Sequence, residues 1–248
     1  MLTIRPDEPL AVAVTEAIHT GNVDALKQML RENPELATAR IGDKDACAGG
    51  PMSRTLLHVA TDWPGHFPNG AATVAALVEA GADVNARFTG PHTETPLHWA
   101  ASSDDVEVLD ALLDAGADIE ASGAVIAGGT PLSDAVAFGQ WNTARRLVAR
   151  GAKTPLREAA ALGLMDRVER RWSGAAPPTP DEVTQAFWYA CHGGQQRAAA
   201  YLLERGAQLN WVSRWDQLTP LDAARRSGHA QVVEWLCLCG AKSASELR

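Results

Sequence analysis

The sequence predicts an all-α repeat solenoid of about seven helix-turn-helix units with short β-hairpin fingers, bent near residues 150–185. Three observations carry that expectation. A Thr-Pro-Leu frame recurs along the chain, each copy leads to an apolar stretch closed by a Gly-Ala step, and the spacing of copies is regular except at a few places. Of the 248 residues, 46% are hydrophobic and 21% charged, a balance that opposes wholesale disorder.

The frame is fullest at Thr95-Pro96-Leu97-His98-Trp99-Ala100-Ala101. It returns as Thr55-Leu56-Leu57-His58, Thr130-Pro131-Leu132, Thr154-Pro155-Leu156 and Thr219-Pro220-Leu221-Asp222. Threonine offers a side-chain oxygen to the free N–H groups of a helix start, and proline at the next position has no N–H to waste. Glycine at Gly139 and Gly228 ends a first helix and turns the chain. The second helix shows helical spacing in Val74, Leu77 and Val78, in Val106, Leu109, Leu112 and Leu113, and in Val232, Val233 and Leu236. Gly81-Ala82, Gly116-Ala117, Gly151-Ala152, Gly206-Ala207 and Gly240-Ala241 close these helices, with glycine free to take a left-handed geometry. Two degenerate copies begin near Val12 and Gln185, carrying Gly21 and Gly194. No helix pair buries its apolar face alone, so neighbours must stack.

These motifs resemble the ankyrin-repeat family from about Val12 to Lys242, most specifically at the three central copies. The opening His19-Thr20-Gly21-Asn22-Val23-Asp24 looks more narrowly like bacterial members. The resemblance implies a single domain over residues 1–248, an elongated curved stack with protruding fingers, and a concave face that binds partners.

Departures from a period of roughly 33 residues locate the irregular parts. Anchors at positions 12, 55, 95, 130, 154, 185 and 219 lie 43, 40, 35, 24, 31 and 34 residues apart. The first interval contains Gly42, Cys47, Gly49, Gly50 and Pro51, read as an extended finger over 40–53. The second holds an insertion, residues 61–70, whose two prolines and two glycines forbid a continued helix. The finger at 87–94 is also long. The 24-residue interval leaves no room for a finger, and a proline-rich connector at 173–182 is expected to join sub-blocks 12–172 and 183–248.

The family pattern leaves certain positions open to a partner. Carried onto this chain they fall at Asp62, Trp63, Ser102, Ser103, Ala137, Phe138, Ala161, Leu162, His192, Gly193, Arg226 and Ser227, with Trp211 and Trp215 in the last finger. Exposed aromatic residues anchor interfaces. Trp99 and Trp188 are expected between neighbouring units, and Trp235 against the terminal core. His58 and His98 hold the fourth position of the frame, a structural role in which the ring bonds adjacent turns. His66, His92 and His192 occupy no such slot; with Asp62 they offer a donor set for a divalent metal or acid–base work if they meet. Asp104 and Asp105 read as caps for the following helix. Arg145, Arg146, Arg150, Arg167, Arg170 and Arg171 read as a solvated outer face.

Lys plus Arg total 22 against 30 Asp plus Glu, a net charge of -8, which argues against nucleic acid and acidic membranes as partners. There is no span-length apolar run and no secretory leader, and the four cysteines are expected to be reduced and half-buried, so a cytoplasmic setting is expected. No phosphate loop, nucleophile elbow or CxxC pair appears, and neither catalytic residues, a metal site nor a cofactor is assigned. The function expected is a noncatalytic module binding an unknown protein on the concave face and fingers. The alternative is a small-molecule, metal or catalytic pocket between the 61–70 insertion and the 87–94 finger, with Trp63, Trp99 and Phe138 as walls beside His66 and His92. Pairing of two copies as a homodimer is a third reading.

Overall fold

The structure, a computed structural model, describes residues 2–43, 51–174 and 176–248. These residues form two compact units, Met1–Ala152 and Lys153–Arg248. Cys47, Gly49 and Gly50, read as part of the extended first finger, lie outside the described residues.

In the first unit, β1 (Thr3–Ile4) pairs in parallel with β2 (Arg40–Asp43), which pairs antiparallel with β3 (Met52–Thr55). The helices are α1 (Pro9–His19), α2 (Val23–Glu32), α3 (Leu56–Ala60), α4 (Gly70–Glu79), α5 (Pro96–Ser102), α6 (Val106–Asp114), α7 (Pro131–Ala137) and α8 (Trp141–Ala149). The second unit contains α9 (Leu156–Ala161), α10 (Met165–Arg170), α11 (Pro180–His192), α12 (Gln196–Leu203), α13 (Pro220–Arg226) and α14 (Ala230–Leu238). The molecule is mostly helical with few strands, as the frame requires.

Thr55, Thr95, Thr130 and Thr219 each stand at the N-cap of a helix. Thr219 Oγ1 accepts from the Asp222 N–H at 3.2 Å while Asp222 Oδ2 accepts from the Thr219 N–H at 3.2 Å, a reciprocal pair that satisfies two otherwise free donors. At Thr55 and Thr95 histidine takes the partner's place. His58 Nδ1 lies 2.8 Å from Thr55 Oγ1, and His98 Nδ1 lies 2.9 Å from Thr95 Oγ1.

Size, not only polarity, sets how the helices pack. Ala100, Ala101, Ala135, Ala159, Ala160, Ala186, Ala190, Ala223 and Ala224 are all buried on the first helices of their pairs. Side chains this small let the backbones of neighbouring helices approach closely. Leucines from the second helices, among them Leu77, Leu109, Leu112 and Leu147, fill the layer behind. In the second unit Phe187, Leu202, Leu221 and Leu236 form the equivalent core. Gly193 marks the tightest approach, since a Cβ there would run into the Ala161 backbone carbonyl.

Several expectations are corrected. Thr154 does not cap α9; the helix begins one residue later than in the other copies, Pro155 stands at its N-cap, and the Thr154 hydroxyl receives the Arg167 guanidinium. The connector at 173–182 is shorter than read. Thr179 and Pro180 repeat the Thr-Pro frame, with Glu182 Oε2 accepting from the Thr179 N–H at 2.8 Å, so α11 starts at Pro180 rather than near Gln185. The arginines of α8 are not simply solvated: Arg146 and Arg150 reach Asp110 at 2.7 Å, and Arg150 reaches Asp114 at 2.6 Å, tying α8 to α6. Cys237, near the end of α14, and Cys239, at its C-cap, are exposed rather than half-buried, while Cys191 is buried. No described helix is long and apolar enough to cross a membrane.

Candidate functional site

The first unit carries an open groove of about 430 Å³. Four successive stretches of chain build it. The residues that follow α3 supply Thr61, Asp62 and Trp63; the finger before α5 supplies Glu94; α5 and its end supply Trp99, Ser102 and Ser103. Val125, Asp134, Phe138 and Gln140 close the far side. Six of the residues singled out from sequence, Asp62, Trp63, Trp99, Ser102, Ser103 and Phe138, therefore line one groove.

Their exposures differ in a way that matters. Trp63 is 80% exposed and Phe138 50%, both far above what a packing role needs. Trp99 is half-buried with its ring edge-on to His58 at 4.9 Å and 5.5 Å from Phe88. Ser102 is turned inward, its hydroxyl donating to the Trp99 carbonyl at 3.0 Å, while its own carbonyl accepts from Gln140 Nε2 at 3.0 Å. Asp62 pairs with Arg54 and accepts from the Trp63 N–H at 3.0 Å, which fixes the base of the exposed indole.

The insertion does not fold over the groove as a lid. It is held against the neighbouring helix pair instead: the His66 N–H donates to Asp105 Oδ2 at 2.8 Å, and His66 Nε2 meets the Ser103 carbonyl at 3.1 Å. Asn69 Nδ2 donates to the Gly21 carbonyl at 2.9 Å on the other side. His92 is exposed on its finger. His192 belongs to the second unit, where it is buried with Nδ1 2.8 Å from Ser227 Oγ. The three histidines and Asp62 are thus spent separately, and among the described residues no group of three or more such side chains is arranged to hold a metal.

His58 and His98 take the structural role expected of them. Each uses Nδ1 on its threonine, and Nε2 then points at a carbonyl of the next turn, Glu94 at 3.1 Å and Gly129 at 3.4 Å. Burial pushes the His58 imidazole down to about 3 and His98 to about 4, so both are neutral bridges near physiological pH.

Two residues of the groove escaped the sequence reading. Glu94 is 6% exposed and Asp134 2%, yet Glu94 Oε2 and Asp134 Oδ1 have no hydrogen-bond partner. Burial, reinforced by the negative charge of Glu94, pushes the Asp134 carboxyl up to about 7. The signal available was positional. Glu94 directly precedes a frame threonine, and Asp134 follows the frame's fourth position.

The second unit gathers a different set. Trp188 is buried and its Nε1 donates to the Leu218 carbonyl at 3.2 Å. The exposed Trp215 meets Trp188 edge-on at 5.2 Å and lies 5.4 Å from Trp211. Arg226 pairs with Asp216 at 2.8 Å, and its guanidinium stands 5.7 Å from the Trp188 ring centroid. His229 Nε2 reaches the His192 carbonyl at 3.0 Å, the same bridging use of histidine between turns seen in the first unit. Trp235 packs partly buried against the core of this unit.

Helix pairs stacked through alanine faces, with frame histidines bridging successive turns and an open aromatic groove, define a repeat scaffold built for recognition. The chain belongs to the ankyrin-repeat family: the family model for ankyrin repeats (three copies) matches residues 69–158 and again 156–245. An ankyrin repeat and KH domain-containing protein of Caenorhabditis briggsae is 30% identical over 186 residues, covering 71% of this chain and 7% of that protein. Rabankyrin-5 of Homo sapiens is 30% identical over 226 residues, covering 80% of this chain and 19% of its own length. The chain thus spans less than a fifth of either relative. Both are animal proteins, and the narrower resemblance to bacterial members is not supported. Ankyrin repeats are protein-interaction modules, and a catalytic or small-ligand role is not favoured.

Proposed function

We propose that this chain docks a protein partner in the groove of the first unit, with Trp63 as the anchor and Phe138 beside it. We count its helix pairs as seven repeats. The observation that carries the reading is the exposure of Trp63, an indole 80% open to solvent on a backbone held by Asp62, His66 and Asn69. A large apolar side chain on a fixed loop offers contact area with little ordering cost, which suits a rigid recognition surface. The Trp215 face of the second unit, with Trp211 and Arg226, is a second contact area in this reading. Its aromatic rings would serve equally to pair two copies of the chain. A cytoplasmic setting is part of the proposal and is supported by composition alone.

The test is affinity capture from the source organism with quantitative mass spectrometry, using wild type, Trp63→Ala and Trp215→Ala. A partner that is retained by wild type and lost with Trp63→Ala supports the reading. Equal recovery of every retained protein by all three would defeat it. Concentration-dependent sedimentation separates the homodimer: self-association lost with Trp215→Ala would assign that face to a second copy.

A further inference from the structure

Glu94 and Asp134 are carboxyl-bearing residues more than nine-tenths buried, and each presents one oxygen without a partner. Both line the groove, and their neighbours there include Asp62 but no lysine, arginine or histidine. Asp62 is already satisfied by Arg54. The backbone at Val125 and Ile126 bonds the Asp134 carboxyl, but Asp134 Oδ1 and Glu94 Oε2 are left without a partner. Buried acids in this state are costly unless a cation or a donor completes them. The walls above are Trp99 and Phe138, aromatic faces of the kind that attract a cation after its water is stripped.

We infer that the inner end of this groove is a subsite for one cationic side chain of the docked partner, an arginine guanidinium or a lysine ammonium. Both oxygens are sealed from solvent in the free groove, so the two carboxyl groups would turn toward the cation as it enters, while its aliphatic stem lies along Trp99 and Phe138. The inference deepens the docking surface proposed above and rests on it. Geometry also explains why the site is part of an open groove rather than a closed cavity. A side chain entering from a partner's backbone needs one open end, and Trp63 stands exposed to meet the rest of that partner. An arginine matches two carboxyl groups with its planar fork; a lysine reaches them as a point charge.

The experiment is an NMR titration of the full chain with N-acetyl-arginine amide, N-acetyl-lysine amide and N-acetyl-citrulline amide, at slightly alkaline pH. Citrulline keeps the shape of arginine and removes its charge. The expected result is saturable shifts of the Trp99 indole N–H and of amides around Asp134, in the millimolar range, with arginine or lysine and not with citrulline. Whichever cation binds more tightly names the source. Asp134→Asn should weaken binding about tenfold while leaving the spectrum otherwise native. Phe138→Ala, on the exposed wall, should weaken it as well and does not touch the buried pair. Equal shifts with citrulline, no saturation with either cation, or unchanged affinity in Asp134→Asn would overturn the subsite. The Trp63→Ala capture result is read independently, so failure of the subsite and failure of the docking surface are distinguishable.

Discussion

Asp104 caps a helix that is not its own. Its Oδ1 accepts from the Thr143 N–H at 2.9 Å and from the Thr143 hydroxyl at 3.1 Å, and Oδ2 accepts from Asn142 Nδ2 at 2.7 Å. Thr143 sits in the first turn of α8, whose N-cap residue Gln140 provides no side-chain cap. The carboxylate that the sequence assigns to the start of α6 is thus used by the following pair, while Asp105 caps α6 through the Val108 N–H at 3.1 Å. Adjacent acids divide the work, one within the pair and one between pairs. Asp104 can do so because its backbone takes a left-handed conformation, φ 57°, which turns the side chain away from its own helix.

Asp104→Ala should destabilise the protein by about 1–2 kcal/mol in urea unfolding, from the lost cap and the buried Thr143 hydroxyl losing one of its partners. A double-mutant cycle with Thr143→Val should give a coupling of about 0.5–3 kcal/mol. Strict additivity would mean that the two residues do not cooperate across the pairs.

Gly193→Ala tests the closeness of α11 to its neighbour. The added methyl would strike the Ala161 backbone carbonyl, which cannot rotate aside as a side chain can. A loss of about 1–3 kcal/mol is expected by thermal or urea unfolding. Full stability would show that the two backbones have slack between them.

The frame histidines make the fold sensitive to acid. His58 and His98 have folded values of about 3 and about 4, below the ordinary imidazole value of 6.5, so the unfolded chain binds protons that the folded chain refuses. Their contribution is intact above about pH 6.5 and falls as pH drops from there toward 4. The slope is at most about 1.4 kcal/mol per pH unit for each ring. Urea midpoints at pH 7, 6 and 5 check this, and His98→Gln should flatten the dependence.

Asp134 works in the opposite sense. Its folded value of about 7 lies above the ordinary 3.8, so the folded chain holds a proton that the unfolded chain releases, and stability declines as pH rises from about 4 to about 7. Asp134→Asn removes that decline, because the amide does not titrate. The variant should be at least as stable as wild type at pH 8, and a lower midpoint there would contradict the burial of an unanswered carboxyl.

The repeat frame was legible in the sequence because capping chemistry is local. Thr95, Pro96, the Nδ1 bond of His98 and the Gly-Ala steps each act within one turn, so spacing alone places them. Where the sequence misled, a contact between distant residues had taken over. Arg167 claims Thr154, Asp104 caps α8, and Arg150 crosses to Asp110 and Asp114. Thr179-Pro180 was hidden by the prolines before it, which drew the whole stretch into a connector. In the groove, Trp63 and Phe138 could be placed from the pattern of open positions, because an exposed aromatic in a turn has few structural uses. Glu94 and Asp134 could not, since the burial that makes them notable arises only in the folded chain.

Measuring the Kd of the captured partner for wild type and Trp63→Ala tests the docking surface most directly. The account predicts a loss of at least about tenfold, the size expected when a central tryptophan anchor is removed. An unchanged Kd, with the variant folded as wild type by circular dichroism, would contradict it.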